Sequence, residues 1–553
     1  MNQVTYVVLS FGKQELTMKC LSTFRKFHPD DPLILTDNGG PNVELTRQVA
    51  EMFNAKFIVN PFNDSLSKLM NLGCAAAETD YVCIATNGVE FTTRLTEQFQ
   101  ADFEKDEKIA VVGGLLFYSD GKIQHGGGRR FWNSSAMGHY GQHRYPHQVK
   151  LCTIPSFRMY VTGATSAVRK SFWQQNPFDE TLTMSCEDTD MCFKAWQNGM
   201  KVYYDPMITS IHNEGSTRGR TDEEKRRNAP IVYEREKKTL EIFKNRYSDL
   251  DCKAIEEKMN KANEELHPDL PKAFIRHGAI GDVMRTLEVY DQLVAKNGPY
   301  IVVTGVPEVF RDRQCIAITD CEEEFAFSSI VNMDLASEWD RTKTVSEMYA
   351  KQAGLEDAGM KPVKLKTNYF DQFQLRRQLP DFDWSQDYVV FHMGVGFPGK
   401  MIDAAIWENL IGNFVNLGYQ VMCVGSGNDF GGQGKGVHNL VGKTTLHTLR
   451  ELLYGAKLFV GVDSGPLHVA DGVCPAIGLF TVCNPANLVS NRVTAIETKA
   501  ECKRCIERHG LVTGYYCDYK PGDPRQFMCS SGFDPREIFS IGMKLLQGQK
   551  EKA

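Results

Sequence analysis

Short β-branched and aromatic runs alternate with helical periodicity through the first two hundred residues. Apolar runs at residues 6–9, 33–36 and 56–59 are separated by helical patterns at 15–27 and 43–53. That alternation predicts a largely parallel sheet with crossover helices. From about 221 to 270 charged residues dominate, β-branched runs vanish, and 234–247 and 252–266 read as exposed helices. His267-Pro268-Asp269-Leu270-Pro271 then breaks the pattern and marks a domain boundary. A second alternating series follows, with strands expected at 273–276, 300–304, 388–392, 420–424, 458–461 and 476–480, and helices at 283–296 and 405–417. Residues 374–384 connect the two halves of this second region.

The 553 residues exceed one ordinary domain and suit roughly three to four folding units. Apolar residues at 42% and charged residues at 24% provide an ordinary globular core. No apolar run approaches the ~20 residues of a membrane helix; the longest candidate, 458–483, is interrupted by Asp463, His468 and Asp471. The first eleven residues lack a basic segment and a small-residue cleavage site and read as a strand. The expectation is a cytoplasmic protein, with a peripheral position on the inner membrane surface left open. A net charge of -6 argues against broad binding to nucleic acid. One local exception is Arg218, Arg220, Lys225, Arg226 and Arg227, where interspersed acids favour a solvated face. Sixteen cysteines in a chain without a leader pattern imply free thiols or metal ligands rather than disulfides.

A group-transfer site on such a sheet needs a strand end that holds the ligand, a means of neutralising the leaving group, and a carboxylate base. Asp37-Asn38-Gly39-Gly40 follows the strand at 33–36, at the carboxyl edge where open α/β sheets bind ligands. The same residues are ordinary turn chemistry, and both readings stay open. Glu187, Asp188 and Asp190 open a helix that runs to Trp196 and ends at Asn198-Gly199, with a strand at 201–204. Acids at a helix start can merely offset its dipole. The dipole leaves Phe178-Asp179-Glu180, Thr162-Gly163-Ala164 and His212 unexplained.

With Asp120-Gly121-Lys122-Ile123-Gln124-His125 and His212-Asn213-Glu214-Gly215-Ser216, these pieces resemble glycosyltransferase family 2, in its rhamnosyltransferase-like branch. The resemblance covers about residues 1–220 and implies a GT-A fold. It makes Asp37 a nucleoside contact, Asp188 the base of an inverting displacement, Glu187 a neighbour of acceptor or sugar, and His212 a possible metal ligand. One departure stands out. Where the family has a metal-ligating aspartate, this chain reads Ala85-Thr86-Asn87-Gly88-Val89-Glu90, and glycine offers a hard cation no side-chain oxygen. Either Asn87 or Glu90 substitutes at a manganese or magnesium site, or the diphosphate is neutralised without metal, or the domain binds without transferring; retained activity is the favoured reading. The glycine-rich stretch from His125 to Arg130 lacks the Gly-Lys-Ser/Thr of a phosphate loop and reads as a surface loop.

In the second region, His277-Gly278-Ala279-Ile280-Gly281-Asp282 turns from strand to helix, and a later strand leads into Gly461-Val462-Asp463-Ser464-Gly465-Pro466-Leu467-His468. Such turns offer backbone N–H groups to a diphosphate. Together with Lys400, Trp407 and Gly442-Lys443-Thr444, they resemble glycosyltransferase family 9, the ADP-heptose–lipopolysaccharide heptosyltransferases, over about 272–548. The resemblance implies a GT-B fold of two Rossmann-like halves. It makes Asp282 the base, Lys400 the counter-charge to the leaving diphosphate, Ser464 and Gly465 phosphate contacts, and Asp463 and His468 neighbours of the donor sugar.

Cys502-Lys503-Arg504-Cys505 with Cys517 and Cys529 suits a four-thiolate structural site for zinc, or for iron. The alternative is four unconnected thiols. The expected architecture is therefore α/β throughout: a GT-A domain at 1–220, a helical linker at 221–271, and a GT-B unit with halves at 272–380 and 381–553, the cysteine knuckle lying at 502–529. The leading reading is a bifunctional inverting glycosyltransferase using nucleotide-sugar donors on a saccharide or lipid-linked acceptor in polysaccharide or lipopolysaccharide-type synthesis. Competing readings make the first domain a binding module, or the whole chain a phage-type transferase acting on DNA bases.

Overall fold

The structure is a computed structural model. It describes residues 4–550 apart from 64, 131–136, 214–220, 314, 320–324, 335, 337–341, 363–364, 397, 510–516, 518 and 520–521. The chain forms two compact units: Met1–Lys272 with Cys321–Ile330, and Ala273–Asp320 with Val331–Ala553.

The first unit is built on a ten-stranded mixed sheet. Its parallel centre places Val4–Ser10 between Leu33–Asp37 and Tyr81–Thr86. All seven residues of Val4–Ser10 and all five of Leu33–Asp37 are buried, as expected of strands covered on both faces. Thr165–Arg169 runs antiparallel against Tyr81–Thr86 and carries the sheet on to Ile109–Phe117 and Lys201–His212. In register, Ser10 lies beside Asp37 and Leu9 beside Thr86, so Asp37 and Asn87 emerge along one carboxyl edge.

Two expectations about surface are corrected in this unit. The helices Pro230–Arg246 and Asp249–Leu266 are exposed on one face only: Phe243, Cys252, Ile255, Met259 and Ala262, with Tyr247 between the helices, belong to the core of the unit. Buried Asn263 adds a polar pin, donating to Phe157 O (3.0 Å) and accepting from Phe157 N–H (2.7 Å). The stretch from His125 to Arg130 is not a surface loop. Its ends are the strands Ile123–His125 and Gly128–Arg130, and His125, the three glycines and Arg130 are buried. A Cβ on Gly126 would lie 2.2 Å from Cys152 Sγ, and one on Gly128 would lie 2.0 Å from Tyr160. These glycines let the chain pass close to other side chains; they do not form a phosphate cradle.

The second unit contains two Rossmann-like sheets. A four-stranded sheet has the order Ala317–Ile318, Ile301–Val303, Lys272–Ile275, Ser329–Asn332. A six-stranded, wholly parallel sheet has the order Val437–Asn439, Gln420–Val424, Tyr388–His392, Leu458–Val462, Ala476–Phe480, Val493–Glu497. Buried aromatic and aliphatic side chains line both, with Trp407 and Phe414 of the helix Ala404–Asn416 on the six-stranded sheet. Among the described residues, no helix is long and apolar enough to cross a membrane.

Candidate functional sites in the two units

In the first unit the carboxylates that open the helix Glu187–Gln197 divide into different roles. Asp190 is fully buried and accepts from Arg246 (2.7 Å) and the Tyr247 hydroxyl (2.7 Å), with Lys194 at 2.9 Å. It anchors the following helices to the sheet. Asp188 faces the other way: Gly163 N–H donates to its Oδ2 (2.8 Å) and Thr189 N–H to its Oδ1 (2.6 Å). Ala164, next to Gly163, accepts from Thr86 N–H (3.2 Å), and Thr86 Oγ1 is 3.4 Å from His212 Nε2. A chain of short contacts thus ties Asp188 to His212 across the strand ends. Glu187 is buried beside Asp188.

Asp37 is fully buried, with Gly40 N–H donating to its Oδ1 (3.0 Å) and its Oδ2 without a partner among the described residues. Asn87 donates to Thr17 Oγ1 (3.1 Å). Glu90 is held by Lys19 (2.5 Å) and accepts from Asn213 (2.7 Å). Burial pushes the Glu90 carboxyl up, but Lys19 and Asn213 outweigh it and hold the group below its usual range. A Cβ on Gly88 would sit 3.4 Å from Asn213 O and 3.6–3.8 Å from the His212 ring. The missing carboxylate would therefore point at His212. Among the described residues no group of three or more His, Cys, Asp or Glu is arranged to hold a metal ion. With glycine at 88 and Glu90 committed to Lys19, this donor set does not fit a hard divalent cation. Glu214 to Ser216, Arg218 and Arg220 lie outside the described residues. In the described part of the basic cluster, Lys225 pairs with Glu236 (3.0 Å) and Arg226 donates to the Tyr233 hydroxyl (2.9 Å).

In the second unit, two strand-to-helix turns meet. Asp282 lies in the helix Ile280–Arg285, its side chain 46% exposed, with Arg276 at 3.5 Å. Opposite stands the helix Gly465–Ala470 with Ser464 at its N-cap. A Cβ on Gly281 would lie 2.9 Å from His468 Cδ2, and one on Gly465 would lie 2.3 Å from Ile280 Cγ2, so both positions need glycine for the turns to approach. Lys400 Nζ is 2.7 Å from Asp463 Oδ2, and His468 Nε2 is 4.0 Å from Asp463 Oδ1. Burial alone would neutralise both members of the Lys400–Asp463 pair. Their attraction wins: Asp463 is held below the usual carboxylate range and Lys400 above the usual amine range. Sequence reasoning missed Arg285, which donates to His468 Nδ1 and Asp471, and Asp334, which accepts from His277 N–H (2.7 Å). These partners lie 57 to 186 positions apart, and no local pattern signals them.

The cysteine segment packs behind Lys400. Thr481 Oγ1 donates to Gly399 O (2.7 Å), and Cys529 Sγ approaches the same carbonyl at 3.9 Å. Ser530 Oγ donates to Asp403 (2.6 Å). Cys502, Cys505 and Cys529 are buried and Cys517 is half-buried, accepting from Phe527 N–H at 3.3 Å. Burial, and then Cys502, Cys505 and Cys517, push the Cys529 thiol up to about 12. Cys529 thus senses the other three thiols, although among the described residues no three are drawn together as a ligand set. The expected metal knuckle is thus not shown by this geometry, while its four-thiol chemistry suits a thiophilic metal.

Comparison with known proteins matches a segment of each unit to a family. Residues 5–169 match glycosyl transferase family 2, and residues 329–515 match glycosyltransferase family 9 (heptosyltransferase). The chain thus carries a family 2 match followed by a family 9 match. Asp37, Asn87, Glu90, Lys400, Asp463 and His468 fall inside the matched segments, whereas Glu187, Asp188, His212 and Asp282 fall outside them. A curated relative, an uncharacterized protein of Sinorhizobium fredii, is 22% identical over 213 residues, 37% of this chain and 23% of its own length. This chain thus spans under a quarter of that relative. Among solved structures, the iron-containing dodecameric glycosyltransferase TibC of enterotoxigenic E. coli has 15% identity and a TM-score of 0.42, covering 51% of this chain and 77% of that one. A family 9 glycosyl transferase of Veillonella parvula has 15% identity and a TM-score of 0.41, covering 50% and 98%. At those scores the likenesses decide nothing about the sites.

Proposed function

We propose that each unit transfers a sugar from a nucleotide-sugar donor, with inversion, to a saccharide or lipid-linked saccharide acceptor. The observation that carries this reading is the meeting of the two turns in the second unit, which gathers Asp282, Lys400, Asp463 and His468 around Gly281 and Gly465. There Asp282 takes the proton of the acceptor hydroxyl. The acceptor oxygen bonds to the anomeric carbon as the bond from that carbon to the diphosphate oxygen breaks. The leaving diphosphate gains the charge of Lys400 and hydrogen bonds from the Ser464–Gly465 turn. Asp463 and His468 then face the sugar. Arg276, 3.5 Å from Asp282, holds that carboxylate in place.

In the first unit Asp188 takes the same part, its Oδ2 oriented by Gly163 N–H. Glu187 lies beside the acceptor or sugar, and Asp37, buried at the strand edge, meets the nucleoside. No step is assigned to manganese or magnesium, because glycine at 88 offers a hard cation no side-chain oxygen and Glu90 is engaged by Lys19. The same glycine favours a second reading for this unit alone: donor binding without transfer. Cys502, Cys505, Cys517 and Cys529 would hold a zinc or iron ion, which supplies a cross-link bracing the turn that carries Lys400 and no chemistry on substrate. We place this work in polysaccharide or lipopolysaccharide-type synthesis, in the cytoplasm or at its membrane face. DNA is not favoured, since Lys225 and Arg226 are already engaged.

The test is a panel of nucleotide sugars offered to the full chain, with release of nucleoside diphosphate followed by chromatography. Release from at least one donor is expected. No release, together with no calorimetric binding of any donor, would overturn the proposal.

A further inference from the structure

Arg285 sits at the end of the Asp282 helix, buried, with Nε, Nη1 and Nη2 all engaged. Its Nη2 donates to His468 Nδ1 (2.8 Å) and to Asp471 Oδ2 (2.9 Å), its Nε to His468 Nδ1 (3.2 Å), and its Nη1 to Lys361 O (3.1 Å). Asp471 is itself fixed: it is buried and accepts from the Ser490 hydroxyl and Ser490 N–H. The guanidinium therefore cannot turn away.

A guanidinium has donors and no acceptor. An imidazole nitrogen that receives its N–H groups must offer a lone pair, so His468 Nδ1 carries no proton. In a neutral ring the proton then lies on Nε2. Nε2 lies 4.0 Å from Asp463 Oδ1 and 3.4 Å from the point where a Gly281 Cβ would stand. Protonating Nδ1 would break both bonds and set a second cation against Arg285. Burial and Arg285 together hold the His468 pKa down at about 3, against the weaker pull of Asp463 and Asp471 and with Lys400 acting in the same sense as Arg285.

We propose that Arg285 is a positioning residue that fixes His468 as a neutral imidazole with its Nε2–H turned toward the Lys400–Asp463 pair. His468 then meets a nucleotide-sugar donor as a hydrogen-bond donor and never as a proton acceptor, which leaves Asp282 as the base of this site. The functional half of this statement rests on the donor-site reading above; the tautomer does not.

The tautomer is read directly. The full chain labelled with 15N-histidine is recorded in long-range 1H–15N spectra from pH 5 to 8, the His468 signals being assigned by their loss in His468→Gln. The expected result is the Nε2–H tautomer with no titration across that range. An Nδ1–H tautomer, or a titration midpoint above pH 5, would overturn the inference. Arg285→Met alone strands a buried carboxylate, so the variant measured is Arg285→Met with Asp471→Asn, which removes both charges. In it His468 begins to titrate in this range or shows mixed tautomers. A His468 spectrum identical to wild type would mean that Arg285 braces the fold only, and would also overturn the inference. A chain that keeps the locked tautomer yet turns over no nucleotide sugar refutes the proposed function and leaves the role of Arg285 standing.

Discussion

Replacing Lys400 by methionine removes the only charge paired with Asp463 at 2.7 Å among the described residues and leaves a carboxylate that is 6% exposed. Two unit charges at that distance attract by about 6 kcal/mol at an effective dielectric of ~20. Breaking a buried pair typically costs about 3–5 kcal/mol, and the partial exposure of the Lys400 side chain points to the low end, about 3 kcal/mol at pH 7. The sign with pH follows from the pair. In the wild type the Asp463 pKa is depressed, so its contribution is present above the unfolded carboxylate value near ~4 and is lost as pH falls through the folded value. In the variant burial, the largest cause, is opposed only by the Cys483 hydrogen bond and by His468, and it raises the pKa, so the charged form destabilises at high pH and the cost falls as pH falls. The cost at pH 5 is therefore smaller than the cost at pH 7. Urea unfolding of the full chain, followed by hydrogen exchange in peptides of the Leu458–Val462 strand, isolates the second unit. A loss below about 1 kcal/mol at pH 7, or one equal at both pH values, would refute the reasoning.

Asp190→Asn should destabilise the first unit by about 3 kcal/mol in urea unfolding, because Arg246, Tyr247 and Lys194 all converge on that carboxylate; a change within ±0.5 kcal/mol would contradict its anchoring role. Gly88→Asp should create a manganese site, since its Cβ meets no atom closer than 3.4 Å and faces His212; calorimetry should show tighter manganese binding than in wild type, and equal binding would refute the geometry. Elemental analysis should find one tightly held metal per chain in the wild type and none in Cys502→Ser/Cys505→Ser, and that variant should bind donor more weakly through the loosened Lys400 turn. A metal-free wild type would dismiss the knuckle.

Much of the sheet framework was legible because parallel strands buried on both faces leave continuous apolar runs. The expected strands at 388–392, 420–424 and 476–480 appear at those positions. The strand expected to stop at Tyr204 instead runs to His212, since a register shift between Asp205 and Thr209 absorbs Pro206, which in a sequence reads as a terminator. The helices after residue 221 read as exposed because their charged face masks a buried stripe at Cys252, Ile255, Met259 and Ala262, a spacing that marks a core-facing helix. The glycines after His125 failed for a different reason: what they avoid is a side chain far along the chain, such as Tyr160. Family motifs gave candidate residues for both sites, but motifs are silent about the residues that hold them. Arg285 and Asp471 are 186 positions apart, and only the fold makes them a pair.

The most direct measurement compares donor consumption by the full chain, Asp188→Asn, Asp282→Asn and the double variant, each supplied with the nucleotide sugars the wild type accepts. Each single variant should lose one donor-consuming activity by about 10²–10⁴-fold and keep the other, and the double variant should lose both. Full activity toward every accepted donor in the double variant would contradict the account.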